Sequence, residues 1–341
     1  MKLRWDQLGR HAKEPLAAIY VLHGDEILLQ QEAADLLRRA ARAQNFTERE
    51  VHHAERGMDW NELLASVNNL SLFGDRKIVE VRFSGKPDTT AANTLEKYAA
   101  NPAPDTLLLL ILPKLDGTAQ KAKWFVACDN AGVSLQLPVI DAQTLPDWLS
   151  SRLQQAGLRT EDAEAFTLLR ERVEGNLLAA QQEIEKLRLL ADNGVLTTDI
   201  IRNAVGDCAR YNVYDLADCA LSGDAERAAR MLAGLRAEGQ AESVVLWAIG
   251  KDARTLASLR EGVDGGQPFN SLLQQNGIWQ KRQPLFQKAV QRTSPRLARL
   301  LVSEVLAADQ AIKGQSMEQA WDVLLRLTLA LAGRPLFAGP V

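Results

Sequence analysis

Six consecutive aliphatic residues, Leu107-Leu108-Leu109-Leu110-Ile111-Leu112, lie between Pro102-Ala103-Pro104 and Pro113 and constrain this chain more than any other feature. The run is too short for a helix of average length, and the prolines bar its extension into one. It also lacks the alternation of a strand with one wet face, so it fits a strand covered on both sides. We therefore expect a central, buried strand. Apolar runs at Ile19–Leu22, Ile78–Phe83 and Val133–Leu137 give weaker signals of the same kind, with helical patterns near Glu26–Ala43 and Asp59–Leu70 between them. Strands alternating with helices imply an α/β unit, a parallel sheet with helices on both faces.

In such a unit the turn after the first strand is where phosphates bind. Here Ala18-Ile19-Tyr20-Val21-Leu22-His23-Gly24 runs directly into Asp25-Glu26-Ile27-Leu28-Leu29-Gln30-Gln31. A phosphate loop needs G-x-x-x-x-G-K-[ST], because its glycines let backbone N–H groups cradle the phosphates while Lys and a hydroxyl hold charge and Mg²⁺. Counted from Gly24, those three places hold Leu29, Gln30 and Gln31, and Asp25 and Glu26 add like charge. The topology is that of a nucleotide-binding unit; the chemistry is absent.

Past Pro138 the strand signal disappears. Leu145-Pro146-Asp147-Trp148 opens a helix with Thr144 expected as its N-cap and Pro146 in its first turn. Residues 141–210 read as a small helical unit, in which Leu177, Ala180, Ile184, Leu187 and Leu190 form one stripe meant for burial. From Tyr211 onward the pattern is again helical, with glycine punctuation, and implies five or six helices and no strand. The expected division is thus 1–140, 141–210 and 211–341 within 341 residues.

Charge narrows the function. The net charge of −3 argues against a chain that grips nucleic acid through a broad basic surface. Residues 1–140 carry 17 basic and 18 acidic side chains, 141–210 carry 8 and 12, and 211–341 carry 15 and 13, so any basic function is local and best placed in the last third. No apolar run approaches the roughly 20 residues of a membrane span, and no signal-peptide core opens the chain, which together imply a cytoplasmic protein without a membrane partner. The three cysteines, Cys128, Cys208 and Cys219, form no C-x-x-C pair and read as buried, reduced thiols. None of His11, His23, His52 and His53 lies in a nucleophile motif. The carboxylate pairs Glu161-Asp162 and Glu183/Glu185 read as solvated helix faces, leaving no catalytic or metal-binding constellation.

Two features invite sharper hypotheses. After the apolar face Trp60, Leu63, Leu64, Val67 and Leu70, Ser71 is followed by Leu72-Phe73 and then Gly74-Asp75. This pair is either a plug for a partner's apolar pocket or a contact that closes the helix onto its own core. The second feature, Gln280–Arg299, holds Lys281, Arg282, Lys288, Arg292, Arg296 and Arg299 with no acid. It is either a site for phosphates or an acidic partner, with Trp279 free to stack, or a solvated helical face with Leu285, Phe286, Val290, Leu297 and Leu300 inward.

Four segments carry a resemblance to a known family: Tyr20–Glu26 with its helix, Leu70–Lys77, Glu174-Gly175-Asn176-Leu177-Leu178-Ala179-Ala180 with Glu183–Leu187, and Tyr214-Asp215-Leu216 through Trp247. Over nearly its whole length the chain resembles the delta subunits of bacterial DNA polymerase III, which belong to the sliding-clamp loader. The resemblance implies a RecA-like AAA+ domain with a degenerate nucleotide site, a small helical lid and an all-α collar that joins a pentamer with tau/gamma and delta-prime. It implies no ATP or other cofactor on this chain, ATP being bound by the partner subunits. It also implies that Leu72 and Phe73, led in by Leu70 and Ser71, contact the beta sliding clamp, and that primed DNA is held through the assembled complex. Lys281, Arg282, Lys288 and Arg292 are the residues to consider for DNA or a partner. The rival readings are an ATP-driven AAA+ motor such as a helicase loader, and a helical nucleic-acid-binding protein.

Overall fold

The computed structural model describes residues 1–55, 58–68, 76–206 and 208–336. The chain divides into two compact units: Met1–Glu161 with Leu177–Ile200, and Asp162–Asn176 with Ile201–Val341.

The first unit is built on six strands, β1 (Lys2–Leu3), β2 (Ile19–His23), β3 (Phe46–Ala54), β4 (Arg76–Phe83), β5 (Thr106–Leu112) and β6 (Val133–Gln136). Their order is β1-β6-β2-β5-β4-β3, and every pairing is parallel. The aliphatic run is β5, buried at all seven positions and flanked by β2 and β4. Its side chains alternate between two cores, as the pleat requires. Leu107, Leu109 and Ile111 join Tyr20, Leu22 and Ile78 under α1 (Leu8–His11) and α2 (Ile27–Ala43). Leu108, Leu110 and Leu112 join Ile19, Val21, Val79 and Val81 under α3 (Trp60–Asn68), α4 (Thr89–Ala100) and α5 (Lys123–Ala131).

Sequence patterning passed over β1 and β3. In β3 only Phe46 is fully buried, because the strand lies at the sheet edge and its Thr47, Glu48, Arg49 and Glu50 face water or ion-pair partners. An edge strand needs little apolar content.

Past β6 come α6 (Leu145–Gln155), a two-strand parallel pair formed by β7 (Arg159–Thr160) and β8 (Val195–Leu196), and α8 (Leu177–Leu190), so the region expected to be purely helical carries one short pairing. Thr144 occupies the N-cap position of α6 without a side-chain capping bond; its hydroxyl turns back to Asp141, whose carboxylate accepts from the N–H groups of Gln143 and Thr144. Along α8, Leu177, Ala180, Ile184 and Leu187 are buried as the stripe requires, whereas Leu190 is 54% exposed at the helix end. Glu183 is half-buried and paired with Lys186 rather than solvated.

The second unit is helical: α7 (Ala163–Val173), then α9 (Thr198–Ala204) leading into α10 (Val213–Ser222), α11 (Ala225–Ala237), α12 (Glu242–Asp264), α13 (Phe269–Gln275), α14 (Gln283–Arg292), α15 (Pro295–Ile312) and α16 (Ala320–Leu331). Seven helices therefore follow residue 211 among the described residues, one or two more than the glycine punctuation implied. One core joins α10 to α16, with Leu216, Ile249, Leu256, Phe286, Leu301 and Leu327 fully buried. Gly223 ends α10 at φ 96°, the left-handed C-terminal geometry that glycine adopts without strain. Cys128 and Cys219 are buried and Cys208 is only partly so; burial pushes the Cys128 thiol up to about 12 and that of Cys219 up to about 11. No described helix is long and apolar enough to cross a membrane.

Candidate functional site

The turn from β2 to α2 is closed by its own residues. The Gly24 N–H donates to Leu112 O at 3.2 Å, and the Gln30 side-chain amide, at the place of a phosphate-binding lysine, donates to Gly24 O at 2.5 Å and Leu112 O at 3.3 Å. Asp25 accepts from the Lys114 N–H at 2.9 Å. A Cβ on Gly24 would stand 2.7 Å from that of Leu137, so a side chain packs where the loop backbone would need open space. Burial and then the adjacent Asp25 push the Glu26 carboxyl upward, favouring its neutral form.

Leu70, Ser71, Leu72 and Phe73 lie outside the described residues, but the residues that flank 69–75 on either side are held. On one side, Trp60, Leu63 and Val67 bury one face of α3, Trp60 stacks on Phe83 at 5.9 Å, and the Thr106 hydroxyl donates to Val67 O at 3.0 Å. On the other, Lys77 N–H donates to Asp105 O at 2.9 Å, and Arg76 donates to Gln44 O at 3.0 Å while its guanidinium covers the Phe46 ring.

Beside this segment, β4 carries an arrangement that sequence reading missed. Glu80 is completely buried and accepts from Arg38 on α2 at 2.8 Å, Arg49 on β3 at 3.0 Å and Arg82 at 2.7 Å. Burial alone would raise its pKa, yet the hydrogen bonds and charges of the arginines hold it below the usual carboxylate range. The available signal was Arg82, two residues from Glu80 on one side of a strand, but Arg38 and Arg49 are remote in sequence.

In the helical unit, Glu174-Gly175-Asn176 forms a clasp. Glu174 O accepts from Arg210 N–H at 2.8 Å, its carboxylate pairs with Arg227, and the Asn176 amide donates to Cys208 O at 3.1 Å. Gly175 has φ 75°, and a Cβ there would collide with Arg210 O, so both conformation and space demand glycine.

The basic stretch is divided by the fold. Lys281 and Lys288 are exposed, and Trp279 beside them is 82% exposed. Arg282 is held inside, donating to Asp218 at 2.8 Å and making two hydrogen bonds to the buried Asp252. Arg292 donates to the carbonyls of Ala220, Leu221 and Leu331, at the ends of α10 and α16, and burial lowers its pKa. A cation there completes two helix C-termini. Phe286, Val290 and Leu297 face inward as expected, with Leu285 and Leu300 packed partly against the core. No cluster of three or more His, Cys, Asp or Glu suited to a metal occurs among the described residues.

A parallel α/β unit with a self-closed loop, joined to a helical array, defines the class; comparison with known proteins gives the family. Residues 20–134 match the family model of the DNA polymerase III delta subunit, and residues 213–338 that of the C-terminal domain of the processivity clamp loader gamma complex of DNA polymerase III. DNA polymerase III subunit delta of Escherichia coli K12 is 30% identical over 98% of both chains, and that of Haemophilus influenzae is 26% identical over 96% of this chain and 98% of its own. Among solved structures, the Bacillus subtilis DNA clamp loader delta protein aligns over 96% of this chain and 98% of its own at 18% identity and a TM-score of 0.49, too loose a match for residue-level comparison. The chain belongs to the family of DNA polymerase III delta subunits, clamp-loader components of DNA replication.

Proposed function

We propose that this chain binds the beta sliding clamp through Leu72 and Phe73, with Leu70 and Ser71 leading in, and opens the ring for loading on primed DNA. The observation that supports this reading is the anchoring of α3 and β4, the elements flanking segment 69–75, to Asp105 and Thr106 at the start of β5 and to Gln44 at the end of α2. Burying a Leu and a Phe in an apolar pocket is worth roughly 3–6 kcal/mol before ordering costs. Ring opening then follows from tighter binding to the open than to the closed ring, without chemistry on this chain.

The chain acts as a non-catalytic, cytoplasmic subunit that binds no ATP, since Gln30 and Leu137 occupy the space and the hydrogen-bonding groups a phosphate would use. Nucleotide enters through tau/gamma and delta-prime subunits of a pentamer, joined by an all-α collar spanning 211–341 after a RecA-like domain over 1–140 and a lid over 141–210. The exposed pair Tyr214 and Trp247, edge to face at 5.9 Å, supports an assembly role for the collar. Lys281 and Lys288, beside Trp279, are the part of the basic stretch open to DNA held by the assembled complex.

The direct test is binding of the full chain to its own sliding clamp, alongside a Leu72→Ala/Phe73→Ala variant with an unchanged melting temperature. Binding that falls by roughly a hundredfold or more in the variant supports the plug. Equal binding by both proteins, or none by the native chain, overturns it.

A further inference from the structure

We propose that an arginine-rimmed groove on the α2 face of the sheet unit docks an acidic, partly apolar peptide segment of a partner protein. The groove has a volume of about 740 Å³ and is lined by five arginines, Arg38, Arg39, Arg42, Arg49 and Arg152, against two carboxylates. Those carboxylates are already engaged. Glu32 accepts both terminal nitrogens of Arg152, and Asp35 pairs with Arg38 at 2.5 Å. Glu80, beneath Arg38 and Arg49, is engaged by three arginines at once.

Arg39 and Arg42 are left over. Both are exposed, and neither guanidinium has a hydrogen bond or ion pair among the described residues. Residues 32, 35, 39 and 42 share one face of α2 at helical spacing, with acids in its earlier turns and cations in its last turns. The last turn already bears the negative end of the helix dipole, so cations are stable there without a side-chain partner. A pair of guanidiniums three residues apart presents two donor forks suited to carboxylates.

The rest of the lining selects between polyanions. Trp5, Leu8 and Leu36 give the groove an apolar floor, and Glu32 and Asp35 stand in its wall. A nucleic-acid strand has a phosphate at every residue and nothing to cover this apolar surface; a peptide can place carboxylates over Arg39 and Arg42 and apolar side chains over Trp5, Leu8 and Leu36. The chemistry therefore fits an acidic amphipathic peptide.

The full chain would be titrated, at low and moderate salt, with a fluorescein-labelled twelve-residue peptide of Glu, Asp and Leu, and with an oligothymidylate of equal charge. Peptide binding that exceeds oligonucleotide binding and weakens about tenfold or more in Arg39→Glu/Arg42→Glu is expected. Because neither guanidinium has an internal partner, the variant should lower the melting temperature only slightly, through the reversed charge at the helix end, and should keep its clamp affinity, which separates this surface from segment 69–75. An Arg39→Lys/Arg42→Lys variant should lose only part of the affinity, since the charge remains and the fork is gone. Stronger oligonucleotide than peptide binding, binding indifferent to the charge reversal, or no peptide binding at low salt would overturn the proposal.

Discussion

The two units bury charge in opposite ways. In the sheet unit one carboxylate, Glu80, is ringed by three arginines; in the helical unit one guanidinium, that of Arg282, is held by Asp218 and the buried Asp252. The sheet cluster has cations in excess, and further arginines continue from it onto the surface. The helical cluster consumes a cation that the sequence offered as free. A run of like charge in a sequence therefore says little about surface charge until each partner is located. Six basic residues without an acid between them yielded an internal clamp at Arg282 and a helix-end plug at Arg292, whereas α2, with Glu32 and Asp35 among its arginines, presents unpaired cations at Arg39 and Arg42.

The largest expected effect comes from breaking the first cluster. Glu80→Gln leaves three arginines facing a neutral amide in a buried place and should cost about 3–5 kcal/mol, read as a lowered melting transition with faster hydrogen exchange in β3, β4 and α2. If exchange in these elements is unchanged, the arginines are satisfied by water and the cluster is not structural.

Arg282→Met tests the second cluster. It strands Asp252, but the arginine is itself about one-third exposed, so a smaller cost of about 2 kcal/mol is expected, seen as faster exchange in α10, α12 and α14. A Asp252→Asn substitution in the same background should recover part of the loss.

Acid sharpens the contrast because the two carboxylates are shifted oppositely. The folded-state pKa of Glu80 is lowered, so its contribution is present above the ordinary carboxylate range near about 4 and is lost as pH falls through the lowered value. Burial pushes Asp252 up despite Arg282, so its contribution is fully present below its unfolded pKa and is lost as pH rises through the raised one. Between neutral pH and about 4, acidification should therefore relieve the helical cluster before it harms the sheet cluster, and Glu80→Gln should flatten the low-pH loss of stability while Asp252→Asn should not.

Smaller effects test the clasp and the surface. Gly175→Ala should cost about 1–2 kcal/mol from the left-handed alanine alone, with the overlap of its Cβ on Arg210 O adding to that. Lys281→Ala/Lys288→Ala should change stability by less than about 0.5 kcal/mol, and weakening of DNA binding by the assembled loader is its informative readout.

The parts of the fold legible in the sequence were those dictated by burial on both faces. Leu107–Leu112 could be nothing but an inner strand, and its neighbours Ile19–Leu22 and Ile78–Phe83 followed. Strand β3 was illegible because an edge needs only Phe46 inside. The departure from the phosphate-loop pattern was legible from Leu29, Gln30 and Gln31, but not that Gln30 fastens the turn by donating to Gly24 O and Leu112 O. Thr144 stands at the N-cap as its type suggests, but Pro146 offers no N–H at the second helical position, and the Thr144 hydroxyl instead joins the Asx turn of Asp141, which accepts from the N–H groups of Gln143 and Thr144. The functions of Glu174-Gly175-Asn176 and of Arg292 were out of reach, since each meets groups contributed by distant parts of the chain: Arg210, Arg227 and Cys208 for the clasp, and the carbonyls of Ala220, Leu221 and Leu331 for Arg292.

The fastening of the β2–α2 turn bears on the history such a site can have. Gln30 already satisfies Gly24 and Leu112, and Leu137 already fills the room above Gly24. A step back toward a phosphate loop at any one of these positions removes an existing tie before a glycine, a lysine and a hydroxyl are all in place to form the new one. Such a closure is therefore hard to undo one substitution at a time: each single change loosens the turn before it can gain a phosphate contact.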